Sequence, residues 1–259
     1  MALQVGGVTV INNSKELVGI TGADTTTKNA LTAAGIGGAG APSWNPGATP
    51  DARLTSSGSW SKPGSVGSND WVVFYMIGGG GGSGDYSGSW QTGGSGGSAA
   101  IFASLGQYLP SSIYFTVGAG GAGNSGGAGN KGGDTTCTIN GRTYRAYGGT
   151  GAYGSLGDWA GTNAKNAYYT VPFGGRNPYD YTVADTLGGD AQFYSPSTGS
   201  IFGGGAGETV YGGQARTTST YAGAGGSGSN SGGVPGGGAG GASSGTGGRG
   251  EVRIYYSNL

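Results

Sequence analysis

The sequence predicts a mainly β protein of short strands and hairpins joined by glycine-rich segments, and three observations carry that expectation. Glycine supplies 66 of 259 residues, about one quarter against the roughly 7% usual in proteins. Without a strict Gly-X-Y period such a composition tends to disorder, because it buries too little apolar surface to offset the ordering entropy. Opposing that, the chain carries 16 Tyr, 6 Phe and 5 Trp, enough large rings for a core or several interfaces. The third observation is a set of strand-like runs, each bounded by turn residues.

Residues 1–38 are poorer in glycine than residues 60–259. The β-branched run Val8-Thr9-Val10-Ile11, the turn Asn12-Asn13-Ser14 and the apolar patch Leu17-Val18-Gly19-Ile20 predict two short strands. Thr25 to Ala34 is expected to make a short helix capped by Asp24 or Thr25 and ended by Gly35. A segment of fewer than about 40 residues cannot own a core and should dock on a partner, with Val8, Val10, Ile11, Leu17 and Ile20 as the docking residues. Residues 39–59 read as an extended linker, since Pro42, Pro46 and Pro50, with Pro63 just beyond, prevent a regular helix.

From residue 60 to 259 the chain repeats one grammar, a short strand followed by a glycine tract. Asp70-Trp71-Val72-Val73-Phe74-Tyr75-Met76-Ile77 runs into Gly78 to Gly82, and Ile113-Tyr114-Phe115-Thr116-Val117 runs into Gly118. Thr136 to Ile139 and Thr143 to Tyr147 flank Asn140-Gly141, the strongest short hairpin signal. Glu251 to Tyr256 closes the chain as an alternating strand.

The glycines also keep phase. Gly120, Gly123, Gly126, Gly129 and Gly132 recur at every third residue, and Gly118, Gly121, Gly127 and Gly133 nearly fill a second row. From Gly223 to Gly250 a similar row is broken at Ser229, Pro235 and Ser244. Three residues per turn is the polyproline II period, and such rods lack internal hydrogen bonds. The tracts are therefore expected either as flexible loops or as stacked polyglycine rods that satisfy their amides laterally.

Charge and residue usage exclude several classes of function. Twelve basic and twelve acidic residues leave a formal net charge of zero, with charged residues at 9%. Without a basic run, neither a phosphate backbone nor an anionic membrane is an expected partner. Histidine is absent, which removes the commonest general base and metal ligand together with the Ser-His and Cys-His nucleophiles. Cys137, the lone cysteine, forms no intramolecular disulfide or cysteine zinc site. No apolar run reaches the length of a membrane span, and the opening residues lack a signal-peptide pattern, so synthesis and folding in a cytosol are expected. Matches to Gly-x-Gly-x-x-Gly, such as Gly118 to Gly123, arise by chance in so glycine-rich a chain, and no P-loop accompanies them. Asp180, Asp185 and Asp190 read as a solvated surface rather than a glycosidase pair, and Gly132-Gly133-Asp134 makes no calcium cage. No cofactor, metal or catalytic residue is expected.

The aromatic residues of the glycine and serine loops are the candidate binding set. Tyr86 and Trp90 stand inside one tract, and Tyr153, Trp159, Tyr168, Tyr169, Tyr179, Tyr181 and Tyr194 populate a middle insert. Rigid amphipathic rings among Gly and Ser resemble an antibody paratope in composition. The competing reading places such rings in a core or at a seam between subunits.

Trp60-Ser61-Lys62-Pro63, the strand Trp71 to Ile77, the burst Gly78 to Gly82, then Ile113 to Val117 followed by Gly118 to Gly123, resemble the glycine-rich domain of bacteriophage tail fibres and adhesins over roughly 60–259. The opening Met1 to Ser14 looks like the start of phage tail-fibre and related virion proteins. The resemblance implies a non-enzymatic virion protein, made in the host cytoplasm, whose N-terminus attaches to a tail or baseplate protein. Its polyglycine rods would form a scaffold, and its loops, with Tyr86, Trp90, Tyr153, Trp159, Tyr168, Tyr169, Tyr179 and Tyr181, would meet a host-cell glycan or outer-membrane protein. Hydrophobic residues at 34% are thin for a self-sufficient domain of this length, so a homotrimeric fibre is expected. A capsid or tail decoration protein, or a glycan depolymerase, are the alternatives.

Overall fold

The computed structural model describes residues 3–5, 8–11, 44–86, 90–152, 202–207, 216–241 and 244–257. The chain divides into two units, Met1–Ser43 and Trp44–Leu259. In the first, β1 (Leu3–Val5) and β2 (Val8–Ile11) pair antiparallel, with an irregularity between Leu3 and Gln4. The patch from Leu17 to Ile20 and the helix expected over Thr25 to Ala34 lie outside the described residues.

The second unit is mainly β. Its strands are β3 (Ala52–Leu54), β4 (Gly58–Ser61), β5 (Trp71–Ile77), β6 (Gly84–Tyr86), β7 (Trp90–Thr92), β8 (Ala99–Leu105), β9 (Ser112–Thr116), β10 (Thr135–Ile139), β11 (Arg142–Ala146) and β12 (Glu251–Tyr255). They make two four-stranded antiparallel sheets, ordered β11-β10-β9-β4 and β3-β12-β5-β8, and a separate β6-β7 hairpin. Among the described residues the one helical turn is the 3-10 stretch Gly106–Tyr108. β3 falls within the stretch expected as linker, yet it pairs with β12 from Ala52 to Leu54.

The sheets pack face to face. One side of the β5 sheet contributes Val72, Phe74, Met76, Phe102, Val252 and Ile254, and the other sheet contributes Trp60, Ile113, Phe115, Cys137, Ile139 and Tyr144. Phe102 stacks on Tyr144 with centroids 4.0 Å apart and on Phe74 at 4.8 Å. The second face of the β5 sheet is covered as well, with Tyr75, Ile77, Ile101 and Tyr255 beneath Trp44, Phe202 and Tyr221. That double burial explains why β5 reads as a continuous apolar run while β9, with one face in solvent, alternates. The hairpin of β10 and β11 turns where Asn140-Gly141 predicts it, and both residues have positive φ, 50° and 79°, as a type I′ turn requires.

Glycine-rich segments extend from the strand ends, and their backbone groups bond to one another. Segment 78–83 shows the rule. Gly78 and Gly81 donate to Ser98 and Ser95, Gly79 and Gly82 to Gly133 and Asn130, Gly80 and Ser83 to Gly248 and Gly245. Its carbonyls accept from Gly149 and Ala152, from Gly121 and Asn124, and from Ala239. The partner thus rotates through three neighbours and returns at every third residue, and six segments enclose this one. No ladder of sheet type could do this, because a strand bonds to only two neighbours.

The same rotation explains the glycine phase. A Cβ at Gly78 or Gly81 would overlap the carbonyls of Tyr147 or Thr150, at Gly79 or Gly82 those of Ala119 or Ala122, and at Gly80 that of Gly237. In segment 118–123, Gly118 and Gly121 face 130–133, Gly120 and Gly123 face 245–247, and only Ala119 and Ala122 point to solvent. The row that runs through Gly120, Gly126 and Gly132 is continuous in sequence but not in space. Gly126 sits in a turn with nothing near it, while Gly129 and Gly132 face the central segment 79–83.

Candidate functional site

The backbone bonds order the glycine-rich segments along a common direction. Rising numbers from Gly78 meet falling numbers in 95–98, 130–133 and 245–248, and rising numbers in 121–124 and 149–152, and in 236–239, where Gly236 lies against Gly78, Gly237 against Gly80 and Ala239 against Gly81. Segments that leave the sheets therefore run side by side, and the returning ones lie antiparallel among them. Every outgoing segment must turn at the end away from the sheets.

That end gathers the loops. The β6-β7 hairpin follows Ser83, and a parallel bridge joins Gly84 to Asn124. In the turn at 124–127 the Asn124 Oδ1 accepts from the Gly126 amide at 3.2 Å and its Nδ2 donates to the Ala128 carbonyl at 3.1 Å. Asn side chains favour such turns because they bond the backbone a few residues on. The Asp85 amide donates to the carbonyls of Asn124 and Gly127, each at 3.1 Å, tying the hairpin to that turn. Ala152, from which residues 153–201 depart, donates to Gly82, and the turn at 227–230 closes through Asn230 and Ser227. Ser231 and Thr246 share a hydroxyl hydrogen bond of 2.8 Å beside it.

Of the sequence-derived binding residues, Tyr86 ends β6 and Trp90 begins β7, directly opposite one another in register. They flank the tip of a hairpin at the loop end. Tyr153, Trp159, Tyr168, Tyr169, Tyr179, Tyr181 and Tyr194 lie outside the described residues. The insert that carries them departs from Ala152 at the loop end, and the chain is next described at Phe202, which packs on Trp44 and Tyr75 over the β5 sheet. Of the docking set, Val8, Val10 and Ile11 are on β2, and Leu17 and Ile20 lie outside the described residues.

The polar groups away from this end hold segments together. Asp134, at the foot of segment 129–134, accepts from Lys131 at 3.0 Å, Arg145 at 2.9 Å and the Gly148 amide at 2.9 Å. Burial pushes its pKa up, but the Gly148 amide, Lys131 and Arg145 more than offset this, so the carboxyl lies below its ordinary value. Cys137 is buried between the sheets, and desolvation pushes its thiol up to about 12. Among the described residues no three His, Cys, Asp or Glu side chains cluster as a metal site, and no helix is long and apolar enough to cross a membrane.

One charged group gives no signal in the sequence. Arg53 of β3 and Arg253 of β12 are direct cross-strand partners, an arrangement that destabilises a sheet unless a countercharge intervenes. Glu251, fully buried, is that countercharge, with Arg53 at 2.7 Å on Oε2 and Arg253 at 2.7 Å on Oε1. Sequence alternation in β12 places residues 251, 253 and 255 on one face, but only the pairing with β3 brings Arg53 to them. Compared with models of known protein families and with curated protein sequences, the chain matches none.

Proposed function

We propose that this chain is a structural virion protein, a phage tail-fibre subunit that attaches to the particle through its N-terminal segment and recognises the host surface through loops of its glycine-rich domain. The observation that carries the reading is the gathering of hairpin, turns and the departure point of the insert at one end of a bundle of glycine-rich segments. Loops held on a rigid scaffold are where binding residues concentrate. In this reading the segments are polyglycine rods of polyproline II type. The threefold rotation of hydrogen-bond partners supports that assignment, because three residues per turn returns each N–H to the same neighbour. The protein acts without catalysis, as a homotrimer, and reaches its receptor with the aromatic set Tyr86, Trp90, Tyr153, Trp159, Tyr168, Tyr169, Tyr179 and Tyr181.

Adsorption to intact bacteria tests the reading. Purified protein should bind a subset of a strain panel and leave isolated surface glycan uncleaved. Replacing Trp159, Tyr179 and Tyr181 together by Ala should abolish adsorption with circular dichroism unchanged, since aromatic anchors commonly contribute about 2 kcal/mol or more each. Release of oligosaccharide would favour a depolymerase, and absence of both activities a decoration protein. A monomeric mass in light scattering would remove the trimer.

A further inference from the structure

A cavity of about 300 Å³ opens beside the Arg53 and Arg253 pair, its lining including Pro46, Ala48, Pro50, Thr220 and Tyr221. We propose that it is a binding site for a compact carboxylate, of which an acidic monosaccharide such as a uronic acid is the occupant. It lies on the β3-β12 side of the fold and is independent of the loop-end reading above.

Three features of the cavity support this. Arg253 is fixed in place, its Nε donating to Glu251 and its Nη1 to the Tyr221 carbonyl at 2.7 Å, and its guanidinium lies 5.4 Å from the Tyr75 ring centroid. Arg53 commits its Nη2 to Glu251, while its side chain keeps 54% exposure at the cavity. Its remaining N–H groups present the planar fork that suits a carboxylate.

The second feature is charge. Arg53 and Arg253 line the cavity and share Glu251, which leaves one positive charge in excess there, two less one, while Arg249, 3.9 Å from Glu251, is not part of the lining. The nearest further carboxylate in sequence, Asp51, does not line the cavity and is engaged by the Tyr256 and Ser257 amides.

The third feature is shape and lining. The volume is at the low end of small-molecule sites, which suits one sugar ring rather than a peptide strand. Proline and alanine in the lining offer apolar contact to the C–H face of a ring, and the exposed residue Thr220 adds a hydroxyl-bearing side chain to the same lining.

The full chain should be titrated calorimetrically with sodium glucuronate, glucose and N-acetylglutamate amide at low salt. Glucuronate is expected to bind in the millimolar range and glucose at least tenfold more weakly. Thr220→Glu places a competing carboxylate at the exposed rim without touching the Glu251 pairs, and should abolish glucuronate binding with an unchanged melting temperature. Arg53→Lys keeps charge but loses the fork, and should weaken binding at least tenfold. Equal binding of glucose, no binding of either acid, or full glucuronate binding by Thr220→Glu would overturn the site. Binding of the glutamate derivative but not of glucuronate would overturn the sugar assignment in favour of an acidic peptide.

Discussion

At Gly80 a single hydrogen stands where a methyl would overlap the Gly237 carbonyl, whereas at Gly126 the same methyl would meet nothing. Gly80→Ala should therefore destabilise the fold by about 1–3 kcal/mol, the range for overpacking a filled interior, and Gly126→Ala by no more than about 0.5 kcal/mol. Chemical denaturation of the two variants checks this contrast. Asp134 offers a second test, in pH. Its carboxyl has a lower pKa folded than unfolded, so its contribution is present above the unfolded value and is lost as pH falls through the folded one. Asp134→Asn should melt below the parent at neutral pH, and the gap should close on acidification below about pH 4. The Cys137 thiol, buried and pushed up to about 12, should resist alkylation at neutral pH until denaturant is added, because the thiolate is the reactive form. Rapid labelling of native protein would contradict its placement between the sheets.

Along one glycine-rich element the unit of tolerance is the triplet. Gly118-Ala119-Gly120-Gly121-Ala122-Gly123 directs its two alanines to solvent and its glycines to neighbours. One glycine inserted between Gly120 and Gly121 would swing the Ala122 methyl onto the site of Gly123, against the Gly245 carbonyl. Insertion of Gly-Ala-Gly at the same point would keep every later residue in phase. The first insertion should lower the melting temperature by about 2–4 °C for each kcal/mol of overlap, and the second should leave it near the parent. Equal losses from both would rule out the threefold rotation as the source of the glycine spacing. Strands answer to a different rule. β5 shows in its apolar run, but β8, Ala99-Ala100-Ile101-Phe102-Ala103-Ser104-Leu105, carries no such signal. Its small residues make a weak β signal, and it is a strand because the whole length of β5 pairs with it.

For the whole molecule, the proposed division of labour predicts that a chain lacking residues 1–38 folds but no longer enters particles. The Trp44–Leu259 unit contains both sheets and the glycine-rich segments, so its circular dichroism and melting temperature should match the parent. Incorporation of the truncated chain into particles, followed by immunoblotting of purified virions, measures the docking role of Val8, Val10, Ile11, Leu17 and Ile20. Normal incorporation would remove it.

Local chemistry determined part of this protein unaided. The Asn140-Gly141 turn takes two positive φ values as a type I′ turn requires, β5 carries a continuous apolar run that favours a strand, and the glycine tracts keep a three-residue phase readable in the sequence. Other features exist only in the folded chain. Nothing in Pro46-Gly47-Ala48 or in Thr220-Tyr221 points to a cavity, and Arg53 and Arg253 are 200 positions apart, from 53 to 253, until β3 pairs with β12. The glycine phase likewise says that close approach occurs every third residue but not to what. Six different neighbours around Gly78 to Ser83 are supplied by tracts scattered from 95 to 248, and only tertiary hydrogen bonding assigns each amide its partner, since every glycine offers the same donor and acceptor.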